Sequence, residues 1–369
     1  MKDAVPVFLT TSFSMARLAV IGAGVSGLSA AWSLRSHPLE VTIFEKSRGY
    51  SGRAATRGKY GARYDHGANF IVPTTDRVRN LLFEQLPVDD LQQIDGRIWT
   101  FDDDETLHAP NQESGDTEMW TYARGISTLG KLLARKTPAV KQTETRIATL
   151  HRRDDAWMVS DTDNRRYGPF DAVLMTPPAP QTADILSASA DGISSHHERL
   201  TDLADAVSEA RYHPQFTYVF GYDRPIRRHG DYHGLKNADG KHDVAWISFE
   251  HDKPERVEEG ESIVVIQMSP GWTAPKVDTD PDSFLSEAKE KAASVLDASL
   301  KRPLWYDTQR WRYSLPECGA NRERLAKGAD IGLYFAGDYV AGKGRISEAI
   351  ETGLDVALSI RSTLEPDVA

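Results

Sequence analysis

Three features of the sequence predict its fold class: a strand, glycine turn, helix and strand at residues 17–46 closed by an acid, a middle stretch of aromatic and β-branched runs, and a C-terminal strand ending in Gly-Asp before a helix. They describe an α/β protein: a Rossmann-type dinucleotide-binding domain built from both ends of the chain, with an inserted α+β domain on a largely antiparallel sheet.

The first feature is the most explicit. Leu18-Ala19-Val20-Ile21 suits a strand buried on both faces. Gly22-Ala23-Gly24-Val25-Ser26-Gly27 follows with G-x-G-x-x-G spacing. Gly22 permits the tight turn, Gly24 lets backbone approach a pyrophosphate, and Gly27 lets helix pack on strand. Amides at the helix start, those of Val25 and Ser26 among them, would face the phosphates. The helix is expected over Gly27 to Arg35, with Leu28, Ala31 and Trp32 on one face. Val41 to Phe44 reads as the second strand, and Glu45 stands at its end. A carboxylate there accepts from both ribose hydroxyls and repels a 2′-phosphate, so the site should take FAD or NAD and not NADP.

Bulk properties exclude several classes. At 369 residues the chain holds two domains, or one large one with an insertion. A net charge of −10 argues against nucleic acid as partner, and acidic stretches such as Asp102-Asp103-Asp104 read as solvated loop. The single cysteine, Cys318, excludes an internal disulfide framework and a multi-cysteine metal site, and points to a reducing, cytoplasmic compartment. No apolar run approaches the roughly 20 residues of a membrane helix. Residues 1–14 read as a disordered extension, or as an upstream choice of start codon ahead of Met15.

Beyond Glu45, a basic glycine loop from Lys46 through Ser47 and Gly52 to Arg53 precedes Asp65-His66-Gly67-Ala68-Asn69. Four arginines in this stretch, Arg48, Arg53, Arg57 and Arg63, suggest a second wrap around the same anionic cofactor. An amphipathic helix follows through Val78, Leu82, Gln85 and Leu86, then a strand at Gly96 to Phe101. Gly125 to Leu133 reads as helix, Ala139 to His151 as one alternating strand, and Ala156 to Val159 and Ala172 to Met175 as further strands. Thr176-Pro177-Pro178 ends the last sharply, and Leu186 to Val207 reads as polar loop. Phe216 to Phe220, Val244 to Phe249 and Ser262 to Met268 are strands of the antiparallel sheet, Phe284 to Leu296 is a helix, and Leu304 to Tyr313 is an aromatic segment. Last come a buried strand at Gly332 to Ala336, Gly337-Asp338, and a helix from about Ser347 with Ile346, Ile350, Leu354 and Leu358 on one face and Gly353 allowing close packing. A carboxylate at Asp338 could accept from ribityl hydroxyls. The implied organisation is an extension (1–14), a discontinuous cofactor domain (15–75, 122–185 and 318–369) and a substrate domain (76–121 and 186–317).

Taken together, Gly22-x-Gly24-x-x-Gly27, Glu45-Lys46-Ser47-Arg48-Gly49-x-x-Gly52-Arg53, Ala55-Thr56-Arg57 and Asp65-His66-Gly67-Ala68 resemble the FAD-dependent amine-oxidase superfamily. Four further pieces resemble its renalase-like branch: Met175 to Gln181, Trp246 with Lys253-Pro254-Glu255-Arg256, Gln309 to Pro316, and Phe335 to Asp338 with Glu348-Ala349-Ile350. Ser51 stands where the family often has glycine, and Asn69 where glutamine is expected.

The resemblance implies a p-hydroxybenzoate hydroxylase-like FAD domain with non-covalent FAD. Arg53 and its loop would hold the pyrophosphate, Gly67 and Ala68 would pass the isoalloxazine, and Ile147 would offer backbone to the adenine. Thr176, Gly337, Asp338, Glu348, Ala349 and Ile350 would complete the cofactor site. It further implies an oxidase that moves a hydride from an isomeric dihydronicotinamide to flavin N5, with O2 as final acceptor, yielding NAD(P)+ and H2O2. Such a donor is already activated by its ring nitrogen, so no catalytic acid or base is assigned. Asn69, Trp246, Trp311 and Tyr313 are the expected substrate wall. His66 is expected to be structural and His242 a surface residue. The alternatives are an amine oxidase or desaturase, and a non-catalytic flavin-binding or redox-sensing protein.

Overall fold

The computed structural model describes residues 15–110 and 118–364; the expected extension at residues 1–14 lies outside them. The chain opens with β1 (Ala16–Ile21), α1 (Val25–Ser33) and β2 (Leu39–Phe44), then the hairpin β3 (Thr56–Lys59) and β4 (Ala62–Asp65). α2 (Asp76–Asn80) runs into a π-helical turn, Leu81–Gln85, followed by β5 (Leu91–Gln93), β6 (Arg97–Phe101), β7 (Leu107–His108) and β8 (Trp120–Tyr122). Next come α3 (Thr128–Lys136), β9 (Val140–Gln142), a meander of β10 (Ile147–Arg153), β11 (Ala156–Asp161) and β12 (Arg166–Phe170), then β13 (Ala172–Met175), α4 (Ala179–Ala190) and α5 (His197–Ser208). The second half holds β14 (Arg211–Tyr222), β15 (Tyr232–Asn237), β16 (Val244–Phe249), β17 (Ser262–Met268), α6 (Pro270–Thr273), α7 (Leu285–Val295) and β18 (Trp305–Cys318). It closes on α8 (Arg322–Ala326), β19 (Leu333–Phe335), α9 (Asp338–Ala341) and α10 (Ile346–Leu364).

Two sheets organise these elements. The first, ordered β19-β13-β1-β2-β9, is parallel throughout, so both chain ends contribute to one sheet. Apolar clusters cover both its faces, as an all-parallel sheet requires. α1 and α10 pack closely on one side, where a Cβ on Gly353 would lie 2.4 Å from the carbonyl oxygen of Ser26. The second sheet, ordered β18-β14-β17-β16-β15-β6-β7, is antiparallel except for β15 against β6. α6 and α7 cover one face through Trp272, Ala288 and Ala292; at the other, Val219, Ile263 and Val265 meet Ala62 and Tyr64 of the β3–β4 hairpin.

Several expectations are corrected here. Leu186 to Val207 is mostly helix, not loop: Leu186, Leu200, Leu203, Ala204 and Val207 are buried in the apolar cluster that joins α4, α5, the β10–β12 meander and one face of the first sheet, and Ser189 buries its hydroxyl by donating to the carbonyl of Ile185 and accepting from Leu150. Ala139 to His151 is two strands in different sheets, β9 and β10. Residues of 76–91 and 186–207, expected in the substrate domain, pack instead with the first sheet: Val78, Leu82 and Leu91 on one face, Leu186 and Leu203 on the other. On α10, Leu358 is exposed and Ala357 and Ile360 complete the buried face, because the 3.6-residue period drifts off a strict four-residue spacing. His242 is buried, its ring edge-on to Phe101 and its Nδ1 accepting from the Val244 amide.

Candidate active site

At the carboxyl ends of β1 and β2 the chain makes the turn that its glycines require. Gly22 has φ of 100°, which favours glycine, and a Cβ on Gly27 would lie 2.4 Å from the Gly22 carbonyl oxygen. Nothing lies within 4 Å of the Cβ position on Gly24, so its backbone faces open space. Glu45 binds the turn itself: its carboxylate accepts from the Ala23 amide at 2.9 Å and from the Ser47 amide at 2.8 Å. Ser51 pairs with the turn through a backbone bond to the Ala23 carbonyl, and at φ of 91° it adopts a conformation suited to the glycine expected there. Its hydroxyl is buried without a hydrogen-bond partner.

This turn opens into a cavity of about 1170 Å³ between the two sheets. Gly22, Gly24, Val25, Ser26, Glu45, Lys46, Ser47, Gly52, Arg53, Ile147, Thr176, Gly337, Asp338 and Ala349 line one half. Gly67, Ala68, Asn69, Trp246, Trp311 and Tyr313 line the other. Gly27, Glu348 and Ile350 are not in the lining: Gly27 is spent on packing α1 against β1, Ile350 is fully buried in the core, and Glu348 is half-buried on α10. Of the four arginines only Arg53 reaches the cavity; Arg57 pairs with Asp307 on β18, and Arg48 and Arg63 are not in the lining.

Arg53 is more than a loose cation near a phosphate site. It donates to the carbonyls of Tyr313 at 2.9 Å and Ser314 at 3.1 Å, and to Asp338 at 2.8 Å, so it ties the glycine loop, β18 and the Gly-Asp turn together. Tyr212 donates to the same carboxylate at 2.7 Å. Burial works against the Arg53 charge, but Asp338 outweighs it and holds the guanidinium pKa above its ordinary value.

The segment after β4 forms the roof. A Cβ on Gly67 would lie 2.0 Å from the Arg53 carbonyl oxygen, so only glycine fits. The Gly67 carbonyl accepts from Asn69 and from Gln267, both at 2.9 Å, while Asn69 Oδ1 accepts from Ser248 at 2.6 Å and from the Trp246 indole at 3.3 Å. Trp311 donates its indole N–H to the His66 carbonyl at 3.0 Å and stacks on the His66 ring at 5.4 Å between centroids. Burial, with Arg57 adding to it, pushes the His66 imidazole down to about 4.

Behind the roof lies a cluster that sequence reasoning missed as a unit. Asp65, Glu250, Lys253 and Arg256 have fully buried side chains. Lys253 reaches Asp65 at 3.1 Å and also bonds Glu250; Arg256 reaches Asp65 at 2.8 Å and Glu250 at 3.2 Å. Glu250 accepts the Asp65 amide at 3.0 Å, and Arg256 also donates to Thr121 and the Tyr122 carbonyl. Burial pushes the Asp65 carboxyl up, but Lys253 and Arg256 outweigh it and hold the group well below the usual carboxylate range. Gln215, Lys236 and Gln267 were also missed as cavity residues. Gln267 had a readable signal, as the one polar residue in Ile263-Val264-Val265-Ile266-Gln267-Met268. Lys236 had none, since its strand carries no clear alternation.

The family model for flavin-containing amine oxidoreductases matches residues 105–360, and that for NAD(P)-binding Rossmann-like domains matches residues 20–86. The chain belongs to the flavin-containing amine oxidoreductase family. Mitochondrial protoporphyrinogen oxidase of Nicotiana tabacum is 40% identical over 80 residues, which is 22% of this chain and only 16% of that protein. Among solved structures, a proposed protoporphyrinogen oxidase from Exiguobacterium sp. 255-15 superposes with a TM-score of 0.72 at 15% identity, over 94% of this chain and 99% of that one. Putrescine oxidase bound to putrescine superposes at 0.67 and 13% identity, over 94% and 99%. At such identities the likeness is one of fold.

The cofactor of this family is FAD, and the cavity fits it. The turn is open at Gly24, Glu45 stands at the end of β2 where it would meet the adenosine, and Asp338 is held beside the glycine loop by Arg53. Cys318, the only thiol, does not line the cavity, in keeping with non-covalent binding.

Proposed function

We propose that this FAD-dependent oxidoreductase oxidises a flat heteroaromatic donor of the dihydronicotinamide nucleotide type, as renalase-like enzymes do. One observation carries the reading. Among the described residues every carboxylate in the cavity lining, Glu45, Asp184 and Asp338, belongs to the dinucleotide half, and the half built by the second sheet and the roof contains none. An ammonium substrate would find aromatic faces there but no counter-ion among the described residues, and burying it unpaired is costly.

What that half does offer suits a planar amide. Trp246 and Trp311 present aromatic surface, and Phe70 stands 5.9 Å from Trp246 between ring centroids. Gln267 uses its amide N–H on the Gly67 carbonyl, which leaves its own carbonyl oxygen without a donor among the described residues and available to a carboxamide. Asn69, fixed by Ser248 and Trp246, holds the roof over that position. Among the described residues no side chain is placed as a base, and none is needed for a donor activated by its own ring nitrogen. FAD, when bound, accepts the electrons and passes them to O2.

Anaerobic mixing of the holoprotein with isomeric dihydronicotinamide nucleotides, and separately with putrescine and aromatic amines, tests the reading by loss of the oxidised-flavin absorbance. Bleaching by the nucleotides and not by amines supports it. Bleaching by amines alone replaces it with an amine oxidase, and no bleaching by either donor overturns it.

A further inference from the structure

Resting on the reading above, we propose that Lys236 is an anion subsite that binds a phosphate of the donor and sets a preference for nucleotides over the bare riboside. The register of the second sheet places Gln309, Thr217, Gln267, Trp246 and Lys236 in one row, each directly opposite the next on β18, β14, β17, β16 and β15. Residues paired in this way share a face. Gln309, Gln267, Trp246 and Lys236 of this row all line the cavity. Neighbouring strands lie about 4.8 Å apart, which puts the Lys236 backbone about 10 Å from that of Gln267. That separation matches the reach from a carboxamide to the 5′-phosphate of a mononucleotide.

The surface between the two is flat and apolar. The Trp246 indole lies across Gly234, where a Cβ would stand 2.5 Å from its ring. Gly234 precedes Lys236 by two residues on the same face of β15, so the aromatic surface extends beside the lysine. At the far end the ammonium has no ion pair or hydrogen bond among the described residues, whereas Lys291 pairs with Asp243 and Arg228 with Asp252 in the same sheet domain. Lys236 is exposed to the cavity mouth, and no carboxylate from the sheet lines the cavity to neutralise it. An amide acceptor, an aromatic shelf and an unpaired cation in one row fit a ring, a sugar and a phosphate in sequence.

The isomeric dihydronicotinamide is presented to the wild-type holoenzyme, K236Q, K236R and the control K241Q as riboside, mononucleotide and dinucleotide. A charge-assisted contact at an exposed site predicts that K236Q raises KM about five- to tenfold for both phosphate-bearing donors. The riboside KM, kcat and the K241Q values stay unchanged, and K236R restores most of the loss. An equal KM rise for the riboside, or none for the nucleotides, overturns the proposal. If none of these donors reduces the flavin, the functional reading fails, and calorimetric titration of the holoenzymes with inorganic pyrophosphate still tests the subsite: weaker binding to K236Q than to wild type supports it, and equal or absent binding overturns it.

Discussion

Replacing Lys253 with methionine removes one cation from a buried quartet of two acids and two bases and leaves a net negative charge where no solvent reaches. Lys253 Nζ stands 3.1 Å from Asp65. At an effective dielectric of about 20 that pair alone interacts by about 5 kcal/mol, and the neighbouring Glu250 adds to it. Relief of the ammonium's own desolvation offsets part of this, so the expected net loss is about 3–5 kcal/mol, the usual cost of breaking a buried pair from one side. The double variant K253M/E250Q restores neutrality, since Asp65 keeps Arg256 and a glutamine at 250 can still accept the Asp65 amide. It should be more stable than K253M by about 2 kcal/mol, a coupling well outside additivity. Urea unfolding of the holoproteins, followed by circular dichroism and tryptophan fluorescence, measures both, provided the two signals change together. A K253M loss below about 1 kcal/mol, or a double variant that simply sums the single losses, would refute the view that the quartet is held by mutual charge compensation.

Three further outcomes follow from the geometry. His66 is buried with its pKa lowered to about 4, below its unfolded value, so its contribution to stability is full above pH about 6.5 and is lost as pH falls toward 4, by about 3 kcal/mol in total. His66→Phe keeps a ring on Trp311 and should therefore gain on wild type as pH drops from 6.5 to 4.5 in denaturation midpoints; parallel curves would contradict this. Ser51→Gly relieves a φ of 91° and removes a buried hydroxyl without a partner, and should stabilise the protein by about 1 kcal/mol in the same assay. Gly67→Ala places a methyl group 2.0 Å from the Arg53 carbonyl oxygen and should yield protein largely free of flavin, read from the absorbance ratio of flavin to protein; normal flavin content would mean that the loop yields without cost.

Much of the cofactor domain was legible because its signals are local. The turn at Gly22 to Gly27, the acid at Glu45 and the strand ending in Gly337-Asp338 each depend on a backbone conformation or a chain direction that a few adjacent residues dictate, and the parallel sheet joins them as expected. The antiparallel character of the middle of the chain was readable for the same reason, from runs such as Ile263 to Met268. α4 and α5 were not, because their apolar stripes are thin and Ser189 accepts from the Leu150 amide only once α4 packs on β10 of the meander.

The sequence by itself determined that the chain builds a dinucleotide site from its two ends and that glycine must stand at Gly22. Only the tertiary structure decided that Asp65, Glu250, Lys253 and Arg256 compensate one another, that Arg53 serves Asp338 and β18, and that Gln267, Trp246 and Lys236 lie in one row. Burial, charge pairing and cross-strand register arise between residues far apart in the chain, and the free energy of each exists only after the sheets have met.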